Sequence, residues 1–198
     1  MSNSQEISGY TYGSNELMQS PVTLADLEAL KKTVLFTEED EKYLRKSKTI
    51  LEPHVEDLLD TWYGFVGSNE HLVYYFANSE TKKPDEEYLA KVRERFKVWV
   101  FDTADANYDQ KWLDYQHEIG LRHHTTKKNK TDGVTSVPII HFRYLIALHY
   151  PVTATIKPFL AKGGDSPEEI EKMHQAWIKS VMIHAILWCY PYIKDGEF

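Results

Sequence analysis

The residue whose position in this chain most clearly suggests chemistry is a histidine at the end of an amphipathic segment, residues 108–124. A helix turns by about 100° per residue, so Ile119 and His123 each lie about 20° from the direction of Trp112. Tyr115 lies about 60° from that direction. A neutral imidazole facing an apolar cavity can bind a buried metal, and haem iron is the commonest case with one histidine on a helix. A core histidine hydrogen-bonded to a carbonyl oxygen would give the same pattern.

The other histidines do not combine into a convincing metal site. His141 and His149 are eight residues apart, which separates them by about 80° on a helix. A dinuclear carboxylate site needs a Glu-x-x-His pair on each of two helices, and Glu171–His174 supplies this spacing once. The sequence contains neither a glycine-rich phosphate loop before a helix nor a G-x-S-x-G motif. Haem therefore remains as the candidate cofactor.

Composition excludes several classes of protein. The chain has 198 residues and a net charge of −7, and its short basic cluster at residues 127–130 lies in a predicted loop, so no nucleic-acid partner is expected. The one cysteine, Cys189, allows neither an internal disulfide nor a thiolate zinc site. No uncharged apolar run reaches the roughly 18 residues that span a membrane, and residues 1–12 lack the pattern of a signal peptide. We expect a cytoplasmic protein with no membrane contact.

The elements that must position these residues are predicted to be helices. Start signals precede apolar residues spaced by three and four, and no segment alternates long enough to form a convincing strand. We predict about eight helices, with the longest pair at the C-terminus. A helix that starts at Pro84–Asp85 is expected to end before a polar break at residues 102–107. A long helix over residues 137–160 is expected to be kinked at Pro151, and residues 1–20 are interpreted as an extended arm whose tyrosines could pack onto the domain.

A haem pocket in a helical chain needs an axial histidine, large apolar walls and cations near the propionates. His123, Trp62–Tyr63 and Arg95–Phe96 supply these parts. Taken singly, none of these residues indicates a haem pocket. Trp62 and Phe96 would lie in the core of any helical protein, and Arg95 would lie on its surface.

Six strings spread over almost the whole chain resemble the protoglobins, single-domain haem proteins of the globin superfamily that are related to the globin-coupled sensors. The strings are ISGYTYG at residues 7–13, DTWYGFV at 60–66, WLDYQ at 112–116, EIGLRHH at 118–124, VTATIKPFL at 152–160 and YPY at 190–192. Short apolar strings can match by chance, but an ordered set of this extent is not expected to do so.

This resemblance implies an all-α globin fold with an extra N-terminal helix, near residues 24–34, and an N-terminal arm that helps to bury haem b. It implies a single domain over residues 1–198, in which residues 1–20 form the arm and residues 21–198 the globin-like helical part. It also implies a homodimer built through the two long C-terminal helices.

Carried over residue by residue, the resemblance also assigns roles around the haem. His123 matches the ligand of the iron, Tyr63 the distal tyrosine, and Trp62 its neighbour that lines the pocket. Arg95 matches an arginine on the propionate side. The other positions expected at the haem are Phe76 and Phe96 on the distal wall, together with Val92, Tyr115, Ile119 and Leu148.

Two positions predict the size of the distal cavity and the hydrogen-bond donor that a bound gas would meet. Leu148 stands where protoglobins have a phenylalanine that faces the distal haem, with His149 beside it, and the smaller leucine predicts a roomier cavity. Val92 stands where many globins keep a distal histidine. The Tyr63 hydroxyl is then the leading hydrogen-bond donor to a ligand, although Trp62 could offer its indole N–H.

The expected function is reversible binding of O2, CO or NO at a pentacoordinate haem iron, and no catalytic residue is assigned. The alternative is a haem enzyme that acts on NO, nitrite or peroxide, although peroxide chemistry normally needs a distal base that this pocket lacks. The chain ends within a few residues of the last predicted helix, so no attached transmitter or reductase domain is expected. A haem-free helical interaction module is the third interpretation.

Overall fold

A computed structural model describes residues 7–194 and 196–198, so residues 1–6 of the predicted arm lie outside the described part. The described residues are helical, apart from turns, loops and two isolated β-bridges. Their helices are α1 (Leu24–Thr33), α2 (Glu38–Leu51), α3 (Val55–Gly67), α4 (Glu70–Val73), α5 (Glu86–Asp105), α6 (Gln110–His123), α7 (Phe142–Ala147), α8 (His149–Leu160) and α9 (Pro167–Trp188). None of these helices is long and apolar enough to cross a bilayer.

Start signals that the sequence contains are confirmed at two helices. The Thr23 hydroxyl accepts the amide hydrogen of Asp26, whose carboxylate accepts the amide hydrogen of Thr23, and this reciprocal pair caps α1. At α9, the Ser166 hydroxyl accepts the amide hydrogen of Glu169, with Pro167 as the first helical residue. Such caps satisfy N–H groups that have no partner inside the helix.

Helix α5 is longer than predicted. It continues through the polar residues 102–105, where a break was expected. In this stretch the Thr103 hydroxyl is bonded inside the helix, to the Trp99 carbonyl, and Ala104 is buried in the core, so these residues belong to the packed side of α5. With 20 residues, α5 also exceeds the 12 of α8, so the prediction of a longest pair at the C-terminus is wrong: the longest of the described helices are α5 and α9.

Residues 137–160 do not form one continuous helix. Residues 137–141 are not helical, so the predicted start at residue 137 is wrong, and the helical part is divided at Leu148 between α7 and α8. Pro151 is the third residue of α8. Because proline has no N–H, the carbonyl of Ala147, four residues before it, receives no helical hydrogen bond from Pro151. The break at Leu148 therefore lies in the turn before Pro151, where a proline is expected to kink a helix.

The main hydrophobic core is formed where α9 packs against α2, α6 and α8, and where α2 packs against α5. Residues 7–20 form turns and lie against this helical body. The Tyr10 hydroxyl donates to the Asp102 carboxylate at 3.0 Å, and the rings of Tyr10 and Tyr12 meet that of Tyr115 edge to face. The prediction that the tyrosines of the arm pack onto the domain is thus confirmed.

Candidate functional site

An apolar cavity with two adjoining lobes lies inside the helical body, and His123 lines both lobes. One lobe, of about 210 Å³, is lined by Trp62, Tyr63 and Leu148 among others, and we call it the Tyr63 lobe. The second, of about 180 Å³, is lined by Arg95 and Tyr115 among others, and we call it the Arg95 lobe. A flat apolar guest with charged groups at one edge would fit a cavity of this shape and lining.

All ten residues assigned from the sequence line this cavity. Trp62, Tyr63 and Leu148 line the Tyr63 lobe. Arg95, Tyr115 and Ile119 line the Arg95 lobe. The four that line both are Phe76, Val92, Phe96 and His123. The fold therefore brings together residues that are up to 86 positions apart in the chain; what each does toward a cofactor stays a prediction.

His123 is the last residue of α6 and is held in one orientation. Its Nδ1 lies 2.8 Å from the carbonyl oxygen of Ile119, and because a carbonyl only accepts, Nδ1 carries the proton and Nε2 does not. Trp188 stacks on the ring, with centroids 5.3 Å apart. The backbone carbonyl of His123 accepts from the Ile140 amide at 2.8 Å and from the Tyr192 hydroxyl at 2.7 Å. Burial lowers the pKa of His123 to about 4, so the imidazole is neutral and able to bind a metal.

Tyr63 and Trp62 lie side by side on α3 but differ in what their polar atoms do. The indole N–H of Trp62 donates to Thr155 Oγ1 at 2.7 Å. The Tyr63 hydroxyl has no hydrogen-bond partner among the residues that the structure describes, and burial raises the pKa of this phenol, so it stays protonated. Of this pair, only the Tyr63 O–H can be donated to a molecule in the cavity.

Apart from its histidines, Tyr75 and Tyr144, the remaining wall of the Tyr63 lobe is apolar. Phe96 lies between Trp62 and Trp99, with ring centroids 4.9 and 5.0 Å away. Val92 lines both lobes one helical turn before Phe96 and has no polar side-chain atom. This part of the lining offers little polar contact beyond the Tyr63 hydroxyl.

Leu148 and His149 lie at the break between α7 and α8, and both line the Tyr63 lobe. The Nε2 atom of His149 lies 3.0 Å from the carbonyl oxygen of Ile178, to which it can only donate. That nitrogen is therefore protonated, and the bond ties the ring of His149 to the backbone of α9.

At the edge of the Arg95 lobe, two arginines fasten the arm. Arg95 makes two hydrogen bonds to the buried Asp132 carboxylate, at 2.9 and 2.7 Å, and also donates to the Ser8 carbonyl at 2.9 Å. Arg122 donates to the Gly9 carbonyl. The arm thus contacts two arginines that line this lobe, and the charge of Arg95 is already balanced by a carboxylate of the chain.

Several residues of the cavity wall were not assigned from the sequence. One of them is Trp99, which lines both lobes. Trp188 stacks on the His123 ring. The sequence does not predict this contact, because it depends on how α9 packs against α6. Lys128 was interpreted as part of a basic loop, but only 4% of its surface is exposed to solvent. Residue type alone could not show that this loop packs against Tyr75 and buries the lysine.

A protein-family model described as Protoglobin matches residues 23–198. The chain belongs to the protoglobin family. Membership implies a haem cofactor and diatomic gas ligands, and the cavity, its neutral histidine and the cations at one edge suit that cofactor. A comparison with curated protein sequences gave no match.

Solved structures support the same fold. The globin domain of a Geobacter sulfurreducens globin-coupled sensor is similar to this protoglobin with a TM-score of 0.66 and 17% sequence identity. The alignment covers 85% of this chain and 98% of that one. At this level of identity the similarity shows the fold, which is the all-α globin fold that the sequence predicts.

Proposed function

We propose that this protoglobin holds haem b in the two-lobed cavity and binds O2, CO or NO reversibly at a pentacoordinate iron. Haem, when bound, supplies the iron that takes up the gas. The observation that carries the proposal is the hydrogen bond from His123 Nδ1 to the Ile119 carbonyl, since it leaves an unprotonated Nε2 on a neutral ring that lines both lobes. Such an imidazole is prepared to bind iron without losing a proton.

The other assigned residues would hold the porphyrin. Phe76, Val92 and Phe96 line both lobes and would contact its faces, while Tyr115 and Ile119 would enclose its edge in the Arg95 lobe. Arg95 would lie on the propionate side, where the arm also closes. Burial of a large flat ring between these side chains would supply most of the binding free energy.

The gas would bind in the Tyr63 lobe. Among the described residues that line this lobe, the only histidine besides His123 is His149, whose Nε2 is bonded to a carbonyl. That bond holds the ring of His149 against the backbone of α9, which supports the proposal that His123 is the histidine bound to a pentacoordinate iron. The Tyr63 hydroxyl would donate a hydrogen bond to O2, and the apolar wall formed with Trp62 and Leu148 would give CO and NO little polar contact.

Enzymatic use of peroxide is less well supported by this geometry. Heterolysis of peroxide normally needs a distal base that moves a proton between the two oxygens. Burial raises the pKa of the Tyr63 phenol, so the group stays protonated and cannot accept a proton from peroxide. A gas-binding role therefore fits the residues better than peroxidase chemistry.

Titration of the purified chain with hemin, followed by reduction and addition of CO, tests the proposal. We expect a strong Soret band at one hemin per chain, a five-coordinate ferrous spectrum and a reversible shift with CO. Absence of a Soret band would contradict the proposal and favour a haem-free module. Sustained turnover of nitrite or NO with a reductant would favour the enzyme instead.

We also propose a homodimer through α8, α9 and the adjoining α7. Three large apolar residues there are exposed, namely Phe142, Ile146 and Tyr150, and they are four residues apart. This spacing places them along one side of the segment. Sedimentation velocity tests this, and a monomer at micromolar concentration would contradict it.

A further inference from the structure

Lys128 places a buried ammonium group in the wall of the Arg95 lobe. The residue is 4% exposed. Its Nζ donates to the Tyr75 carbonyl at 3.0 Å and to Ser136 Oγ at 2.9 Å, and it lies 5.2 Å from the centroid of the Tyr88 ring. These partners are all neutral. Within residues 7–194 and 196–198, no carboxylate lies within 4 Å of this ammonium.

The other two cations that line the Arg95 lobe are already paired. Arg95 is bound by both oxygens of Asp132, and Arg122 is bound by Glu118 at 2.9 Å. Buried charges are normally paired, because a charge without a partner loses its hydration and gains nothing in return. Lys128 is therefore the cation of this lobe whose charge the described residues leave unbalanced.

Burial without a charged partner also changes the pKa of the Lys128 side chain. Burial lowers the pKa of Lys128 to about 8, and the nearby Asp132 offsets this only in part. An anion that entered the lobe would favour the charged form again. The side chain is thus prepared for an anionic partner that comes from outside the chain.

The ammonium is also fixed in position. Its acceptor Ser136 donates to Asn129 Oδ1 at 2.8 Å, and Asn129 Nδ2 donates to the Ser136 carbonyl at 2.7 Å. The Lys128 amide is bonded to the His124 carbonyl at 3.0 Å, one residue after His123. The loop that carries Lys128 is therefore tied directly to the end of the helix that carries the candidate iron ligand.

We propose that Lys128 binds a carboxylate of the bound ligand, one of the two haem propionates, in the lobe that it shares with His123. The inference rests on the proposed haem function and adds a specific anchor to it. In this arrangement Arg95 is chiefly a positioning residue that holds the arm and Asp132, whereas Lys128 supplies the charge that the propionate meets. A purely structural lysine, which only closes the loop onto Tyr75, is the competing explanation.

The test compares loss of hemin with loss of hemin dimethyl ester, whose side chains carry no charge, into an excess of apomyoglobin. The variants are Lys128→Met and Lys128→Gln, the second of which retains hydrogen-bond donors without the charge. Lys130→Met, an exposed lysine of the same loop, is the matched control. Circular dichroism establishes that each variant is folded.

We expect both Lys128 variants to release hemin about tenfold faster than the natural chain, as befits loss of one charge-assisted hydrogen bond. Their release of the dimethyl ester should change less than about twofold, and Lys130→Met should change neither rate. Equal acceleration for both porphyrins would show a structural role and overturn the proposal, as would unchanged hemin loss. Failure of the natural chain to take up hemin would instead overturn the haem function itself.

Discussion

The indole N–H of Trp62 points to Thr155, with Nε1 and Oγ1 2.7 Å apart. Thr155 in turn donates to the Pro151 carbonyl at 2.7 Å, so its oxygen has a lone pair directed at the indole. The tryptophan is thereby fixed as a wall of the Tyr63 lobe, and its N–H is withdrawn from any ligand. The neighbouring Tyr63 hydroxyl is left as the hydrogen-bond donor of that pair.

Replacement of Tyr63 by phenylalanine should therefore speed the release of O2 much more than that of CO. O2 at a ferrous haem carries partial negative charge, so a hydrogen bond to it contributes about 1.5–3 kcal/mol, or roughly tenfold to a hundredfold in affinity. CO gains less from the same donor. Stopped-flow measurements of both off-rates check this, with Tyr144→Phe, another tyrosine of the lobe, as the control. An equal effect on the two gases would exclude the donor role.

The Leu148→Phe variant should bind CO more slowly than the natural chain. Leu148 lines the Tyr63 lobe at the break between α7 and α8, and a phenyl ring there would occupy space that a gas now crosses. Flash photolysis with CO rebinding measures the rate directly, and Leu148→Met serves as a control of similar volume. If the phenylalanine and leucine proteins rebind CO at the same rate, the lobe is not widened by this leucine.

Gly9 should be needed for the arm to close on the cavity. Its φ is +74°, and an added Cβ would lie 2.8 Å from Arg95 Nη1 and 2.9 Å from Thr131 Cγ2. Gly13 has nearly the same φ, +71°, but an added Cβ there would meet only Lys111, at 3.9 Å. Alanine at either position carries the same backbone cost of about 1–2 kcal/mol, and only Gly9→Ala adds the collision.

We therefore expect Gly9→Ala to lose hemin about tenfold faster than Gly13→Ala, which corresponds to about 1.4 kcal/mol. Limited proteolysis of the arm should follow the same order, since displacement from Arg95 exposes its backbone. Identical hemin loss from the two variants would mean that contact between Gly9 and Arg95 does not close the cavity.

The stability of the fold should depend on pH through a buried histidine. His184 is fully buried and its Nδ1 accepts the Trp99 indole hydrogen at 2.8 Å, so the proton lies on Nε2, which has no partner among the described residues. Burial lowers the pKa of His184 to about 3. Between about pH 6.5 and pH 3 the unfolded chain therefore binds one more proton at this site than the folded chain does.

From this difference, the free energy of unfolding should fall as the pH is lowered, with a contribution of up to about 1.4 kcal/mol per pH unit from His184. The variant His184→Asn keeps an acceptor for Trp99 but does not titrate, so its slope between pH 6 and 4 should be smaller by about that amount. Urea unfolding at several pH values measures both slopes, and the exposed His71→Asn is the control. If the free energy of unfolding depends on pH with the same slope in the natural chain and in His184→Asn, His184 is not buried as a neutral group.

Much of the site could be predicted from the sequence because its parts are local. The direction of His123 follows from the period of one regular helix, and the structure confirms that it faces the same cavity as Ile119 and Tyr115. Leu148 and the distal role of Tyr63 were found through the family resemblance, since a lone leucine or tyrosine has no spacing that marks such a role. Helical periodicity and family resemblance both succeed where the residue and the pattern that identifies it lie in the same short segment.

What the sequence did not reveal depends on contacts between distant segments. Asp132, which holds Arg95, is 37 residues from it, and Lys128 becomes buried only because its loop packs against Tyr75. The helical start predicted at residue 137 was wrong for the same reason, because residues 137–141 are not helical and the Ile140 amide donates instead to the His123 carbonyl.

The most direct test of the account is hemin binding by His123→Ala. We predict loss of the histidine-bound ferrous spectrum, hemin release faster by roughly tenfold or more, a change of at least about 1.4 kcal/mol, and recovery of the spectrum when free imidazole is added. His124→Ala, which removes the adjacent imidazole, should bind hemin like the natural chain. If His123→Ala takes up hemin with an unchanged spectrum and an unchanged release rate, this histidine does not bind the iron and the account is wrong.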